Sequence, residues 1–269
     1  MAGPSRYFRL FAAFARFGLA SEMAFRANFL VKLLVEVLWL GILLVFYWKL
    51  FETTSSIAGW TRSEYFFFVG CHYALAGMVE TFFLSNCTEF AELVRSGDLD
   101  MYLLKPIDEQ FLVSCRWIDW STLPNIVQGI AIMVVALAVM DWTFDPLRLA
   151  LFLVLFACGC ALAYSFLLML SCTAVWLVRN QNLMEMWWLF TTLMRYPRAI
   201  YDGPWAKPFG WFFTFIVPVL VVVNVPADTM VKAFDPWFIA WTIAAAVAML
   251  LISRRFFRRA LQSYRSASS

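Results

Sequence analysis

Charge is scarce in this chain. Of its 269 residues only 14% are Asp, Glu, Lys or Arg, while 63% are hydrophobic and the mean hydropathy is +0.74. A soluble domain carries about 25% charged and about 45–50% apolar residues. A water-soluble fold of this length has no place for 28 Phe and 13 Trp side chains. Lipid-facing surface removes that difficulty, and Trp and Tyr rings favour the headgroup level of a bilayer. There is one histidine, His72. No H-E-x-x-H, no G-x-S-x-G and no G-x-x-x-x-G-K-[ST] phosphate loop is present, so the sequence shows no means of gripping ATP and no hydrolytic centre. The net charge of +3 includes no basic run away from the apolar segments, which argues against nucleic acid and for anionic lipid headgroups. The six cysteines lie in or beside apolar stretches, and Cys158-Gly-Cys160 lacks the C-x-x-C spacing of a redox or zinc pair. They read as small buried thiols.

What is present is a series of apolar segments near the 20 residues needed to cross a bilayer. Asn28–Phe51, Glu64–Ser85, Trp117–Met140, Leu147–Val178, Leu183 to about Ile200 and Pro236–Ser253 are the expected spans. The fold class is therefore an all-α membrane protein with six transmembrane helices in a single transmembrane domain, 1–269. Arg6, Arg9, Arg16 and Arg26 precede the first span, and Arg254, Arg255, Arg258, Arg259 and Arg265 follow the last. Positive charge marks the cytosolic side, so both termini are expected in the cytosol, with Arg95, Lys105, Arg116 and Arg179 on the same side. A further apolar stretch, Phe209–Val225, would give an odd count. It is expected as a re-entrant hairpin (203–232) dipping in from the outer face, broken by Pro218 and Pro226. Arg195, Arg198 and Lys207 fit this frame poorly, since they fall outside. Ser263–Ser269 is expected to be disordered.

In segment 1–26, Arg6, Arg9 and Arg16 share one helical face, with Tyr7, Phe11 and Phe14 opposite. That pattern predicts a helix lying in the membrane interface with its apolar side down. Asn86-Cys87-Thr88 matches a glycosylation pattern, but on the cytosolic side it has no meaning. Within the spans, Lys32 and Glu36 are spaced to pair on one face. Glu80 and Glu185 lack a local partner and are candidates for a pathway or an interhelical contact, since charge at such depth faces a partner or a wet cavity.

The cytosolic segment 86–115 carries the most pattern. Glu89, Glu92 and Arg95 make one polar face of a short helix, Gly97 is placed to end it, and Pro106 forbids its continuation. Such an element, joined rigidly to two spans, can receive force from a soluble partner. The run Arg95-Ser96-Gly97-Asp98-Leu99-Asp100-x-x-Leu103-Leu104-Lys105-Pro106 resembles the signature of a family of ATP-binding-cassette (ABC) permeases of the type 2 export class. Met194-Arg195-Tyr196-Pro197-x-x-Ile200-Tyr201, Ile216-Val217-Pro218 and Val225-Pro226-Ala227 resemble that family's region around its fifth span and outer hairpin. The family often reads Tyr-Tyr-Pro-Ala where this chain has Asn224-Val225-Pro226-Ala227.

The resemblance implies a dimer of six-span subunits in the bacterial cytoplasmic membrane, made with a second copy or a related permease. Two cytosolic ABC ATPase subunits would hold the ATP and Mg, and this chain would hold no cofactor and do no catalysis. Glu89–Pro106 would seat in the ATPase, and a hydrophobic or amphipathic cargo would move outward between subunits. The alternatives are an ion-coupled secondary transporter using Glu36, Glu80 or Glu185, which the lack of an inverted repeat disfavours, and a non-transporting membrane scaffold.

Overall fold

The computed structural model describes residues 4–177 and 183–264. The expected placements of Arg179 and Arg265, and the tail beyond residue 264, lie outside the described residues. The described chain is helical throughout, with no strand; a single bridge pairs Ile57 with Trp60 in the first turn. The helices are α1 (Pro4–Ala24), α2 (Arg26–Thr53), α3 (Arg62–Val79), α4 (Ser85–Ser96), α5 (Leu99–Leu103) and α6 (Glu109–Cys115). They continue as α7 (Leu123–Val139), α8 (Pro146–Cys172), α9 (Leu183–Met194), α10 (Lys207–Phe215), α11 (Leu220–Val231) and α12 (Pro236–Ser263). Starts are set by local chemistry. Thr61 and Glu64 form a capping box on α3, with Thr61 N–H donating to Glu64 Oε2 at 2.8 Å. Asp145 and Asp235 cap α8 and α12, each followed by a proline in the first turn.

Five helices are long and apolar enough to cross a membrane, or six if the bent pair α10–α11 counts as one span. The fold departs from expectation at several places. The described part of the segment from Leu183 is the 12-residue α9, which ends before Arg195 and Pro197 instead of running to about Ile200. Those described residues cover about 18 Å at 1.5 Å each. Pro218 lies in the 86° break between α10 and α11, whereas Pro226 sits inside α11 without breaking it. Proline has no N–H for the carbonyl of Val222 four residues earlier, and Gly159 of α8 packs against that oxygen; a Cβ on Gly159 would meet it at 2.6 Å. Ser263 is helical, so α12 runs past the expected Ser253.

The second span and the helix expected after it are one rod. A π-helical turn, Glu80–Leu84, joins α3 to α4 within Arg62–Ser96. The extra residue of a π turn disturbs the i→i−4 ladder. Here Thr81 O accepts from the N–H of Asp119 at 2.9 Å, and the hydroxyls of Thr81 and Thr122 lie 2.9 Å apart. The rod is thereby stitched to the start of α7.

α3 is the centre of the bundle, with Tyr65, Phe68, Cys71, Leu75 and Val79 buried. It meets α7 backbone to backbone at Gly70, Gly77 and Gly129, where Cβ atoms would lie 2.4–2.9 Å from the facing helix. Small residues let apolar helices approach this closely. α8, α11 and α9 close the other sides through Leu155 and Leu162, Val221 and Val222, and Trp187. A second, smaller cluster gathers Phe90 and Leu93 of α4, Leu99, Val113, Leu168 and Phe257 at one end. α2 stands at the periphery with only Leu40, Tyr47 and Phe51 buried.

α1 is a helix, but its apolar face is turned onto the protein. Tyr7 packs edge-on against Phe111 at 4.9 Å and Phe11 lies 6.0 Å from Phe82, while Phe14 is half-buried. Trp120 Nε1 donates to Ala15 O at 3.0 Å and Trp120 N–H to Glu22 Oε1 at 2.8 Å. Arg6, Arg9 and Arg16 are exposed, as are Phe8 and Phe17. Tyr7 and Phe11 are half-buried against these rings, which leaves part of each exposed beside Phe8 and Phe17.

Gly129→Ala should cost about 1–3 kcal/mol through overpacking and lower the thermal midpoint in detergent. Gly41→Ala, which meets nothing within 4 Å, should leave it unchanged or raise it. Equal midpoints for the two variants would show that α3 and α7 are not in contact.

Candidate functional site

Two regions bring chemistry-bearing residues together. The first is the end formed by α4, α5 and α6. α4 stops at Gly97, whose φ of +82° is left-handed and suits glycine. Glu89, Glu92, Arg95, Asp98, Lys105 and Pro106 are exposed. Glu92 and Arg95 pair across one turn at 2.7 Å, and Ser96 Oγ donates to Asp98 Oδ2 at 2.8 Å. Leu99 is fully buried in the smaller cluster and Leu103 packs against it, so these two anchor the segment. Asp100 is half-buried. Met101 and Leu104 are left outside, Leu104 86% exposed. The result is an apolar pair framed by both signs of charge.

The segment is held from behind by residues that no local pattern marked. Arg116 forms an ion pair with Glu89 and a hydrogen bond with the Tyr102 hydroxyl, tying α4 to α5. Lys105 lies over the Tyr102 ring at 4.5 Å. Asp108 caps α6 through Phe111 N–H at 3.0 Å and forms an ion pair with Arg254 of α12. Arg254 also donates to Gln110 Oε1 at 2.7 Å, and Gln110 donates to the Tyr164 hydroxyl of α8 at 2.9 Å. The Asp108 N–H reaches the Tyr7 hydroxyl of α1 at 3.3 Å. Asp108 could have been suspected as a cap after Pro106, but Arg254 lies 146 residues away. Asn86, buried, donates to Trp117 O at 2.7 Å and accepts from Trp117 N–H at 3.0 Å. Its amide is occupied in the fold, in line with reading the glycosylation match as chance.

The second region is a cleft of about 580 Å³ between α2, α3 and α9. Glu36, His72, Glu80 and Arg195 line it, with Trp39 and Trp188 among its apolar walls. Glu80 opens the π turn and accepts from Trp187 Nε1 at 3.3 Å. Arg195 Nε and His72 Nδ1 are buried without a hydrogen-bond partner. Lys32 and Glu36 form no ion pair, contrary to expectation: Lys32 lines a separate pocket with Glu22, while Glu36 faces the cleft. Glu185 is exposed on α9 and takes no part.

Beside the cleft, the 195–201 and 218–227 motifs meet. Arg198 N–H donates to Asn224 Oδ1 at 2.7 Å, and Asn224 Nδ2 reaches Leu220 O at 2.7 Å. Asn224, the position that departs from the family's usual tyrosine, thus staples the turn after Pro197 to α11. Tyr196 is exposed, Tyr201 packs on Phe209 at 5.9 Å, and the Arg198 guanidinium lies 3.9 Å from the Phe238 ring centre. The cysteines are free, three of them buried and three half-buried. Among the described residues no group of His, Cys, Asp and Glu could hold a metal ion.

A family model described as ABC-2 family transporter protein matches residues 37–268. The chain belongs to the ABC-2 family. It is a multi-pass membrane protein of the transport permease type, and that type is not itself catalytic. No curated protein and no solved structure matches the chain. The match begins inside α2, so α1, Lys32 and Glu36 precede the part that aligns with the ABC-2 family model.

Asp108 supplies a test that needs no transport assay. The Arg254 guanidinium beside it holds its carboxyl below the usual aspartate range, against the opposing effect of burial. A depressed folded value means stability that is complete above the unfolded value and lost as pH falls through the folded one. Asp108→Asn can still cap α6, so it should lower the thermal midpoint near neutral pH by removing charge alone. The gap from the parent, read by scanning fluorimetry, should close as pH falls below the aspartate range. A gap that ignores pH would assign the effect to packing.

Proposed function

We propose that this ABC-2 chain is the permease subunit of an ATP-driven exporter whose ATP and Mg are bound by a separate cytosolic ATPase. The observation that carries this reading is the continuous rod Arg62–Ser96, whose far end bears the exposed surface of Glu92, Arg95, Asp98, Met101 and Leu104. A partner pressing on that surface moves a helix that is buried in the bundle and lined on one side by the cleft. Segment 86–115 is the coupling element in this reading. Asp108 and Gln110 make it a stiff lever by tying it to α12, α1 and α8, and Arg116 joins α4 to α5 within it. Both termini and α1 are cytosolic, with α1 lying along the inner surface of a bacterial cytoplasmic membrane. The bent pair α10–α11 within 203–232 enters from the outer face. A second copy or a related permease completes the transport path. The unpaired apolar length of α2 supports such a neighbour, as it supports lipid contact.

Placing Glu36 and Glu80 in one cleft favours a second reading, an ion-coupled carrier. The two differ in their energy source. In proteoliposomes with the partner ATPase, export should need ATP and persist without an ion gradient. Transport driven by a gradient alone would replace the exporter reading with the carrier.

Leu104→Asp, or charge reversal at Asp98 and Asp100, should strip a co-expressed phosphate-loop ATPase from the tagged chain. Gly97→Pro should leave the chain inserted but uncouple ATP hydrolysis from transport. Full co-purification and normal coupling in these variants would remove segment 86–115 from the coupling role.

A further inference from the structure

The cleft between α2, α3 and α9 holds three ionisable side chains, Glu36, Glu80 and Arg195, and among the described residues none of the three is in an ion pair. All three line the cleft together with Tyr73 of α3. Glu80 accepts the indole N–H of Trp187 at 3.3 Å, and Asn125 lines the cleft beside it. His72 is 4% exposed and its Nδ1 has no partner; Arg195 Nε is likewise buried and unmatched. Unmatched charge at this depth costs free energy unless a partner or water meets it. Apart from Tyr73, Asn125 and Thr191 the rest of the lining is apolar, and the neighbouring face of α2 is exposed at Val35, Trp39 and Phe46. A molecule entering from the bilayer can therefore keep its chain against α2 while its head lies among the charges.

From this arrangement we infer that the cleft is a binding site for a zwitterionic amphiphile, whose ammonium faces Glu36 and Glu80 and whose anionic group faces Arg195. Two carboxylates and a guanidinium left open in one cleft ask for both signs in one head. A purely anionic head would leave both glutamates unmet, and a simple amine would leave Arg195 unmet. Glu80 has a second consequence. It opens the π turn that joins α3 to α4, so a head that engages it sits on the joint between the buried helix and the exposed rod. The identification of this amphiphile as cargo rests on the exporter reading, but its binding does not.

The test uses the purified full chain without any ATPase. Native mass spectrometry would compare retention of a phosphatidylethanolamine, a phosphatidylglycerol and a long-chain alkylammonium. The ethanolamine lipid should bind about tenfold more tightly than the glycerol lipid, the size of one charge-assisted contact. Glu36→Gln and Glu80→Gln should each bring the two lipids towards parity. Arg195→Gln should weaken both phospholipids and spare the alkylammonium. Excess alkylammonium should displace the ethanolamine lipid from the unaltered protein, a measurement that does not depend on any variant folding. No headgroup preference in the unaltered chain, or a preference that all three variants retain, overturns the site. A loss of dimer in the variants with no change in lipid preference also overturns it, since a second copy would then be supplying the counter-charges. If no ATPase co-purifies with the unaltered chain in a separate pull-down while the lipid preference is intact, the exporter reading fails and this site stands.

Discussion

Backbone contact between α3 and α7 is the interaction around which the rest is arranged. In a bilayer, apolar side chains gain little by leaving lipid for protein, so helices associate through close packing. Gly70, Gly77 and Gly129 remove the side chains that would hold the two helices apart. That contact commits α3 to the centre and fills its remaining sides with α8, α9 and α11. It also brings the π turn after α3 beside the start of α7, where Asp119 and Thr122 stitch it. A helix so enclosed is held on several sides, and the rod Arg62–Ser96 continues from it without a loop.

The two candidate regions lie at two points along that rod. One is the exposed end beyond Glu89, backed by a small apolar cluster and by the Arg116 and Asp108 contacts. The other is the cleft at Glu80. Their connection is covalent and helical, so a push at one end reaches the other without a chain of weak contacts. The Asp108–Arg254 pair, the Gln110–Tyr164 contact and the Tyr7 hydroxyl bind the same end to α12, α8 and α1. That end is thus fixed to three other helices.

Proline does different work at its two sites in 203–232. At Pro218 the chain is not helical and the path turns by 86°. At Pro226 the helix continues, and the carbonyl it leaves free lies where α8 carries Gly159. The residue type is the same, but the tertiary surroundings decide whether it breaks a helix. Asn224 shows the same dependence. It departs from the family's usual residue, yet it joins the two motifs that gave the resemblance.

The sequence by itself determined the membrane class, the long apolar helices, the helix stop at Gly97 and the family, because composition, span length and local backbone chemistry act within short windows. It also marked the exposed charges of segment 86–115, since their period is local. Only the tertiary structure decided that α4 continues α3, that α9 ends before Arg195, and that Tyr7 and Phe11 pack against protein. It alone brought Glu36, Glu80 and Arg195 to one cleft and Arg254 to Asp108. Those outcomes depend on which helices touch, and pairings across more than a hundred residues leave no periodic trace in the chain.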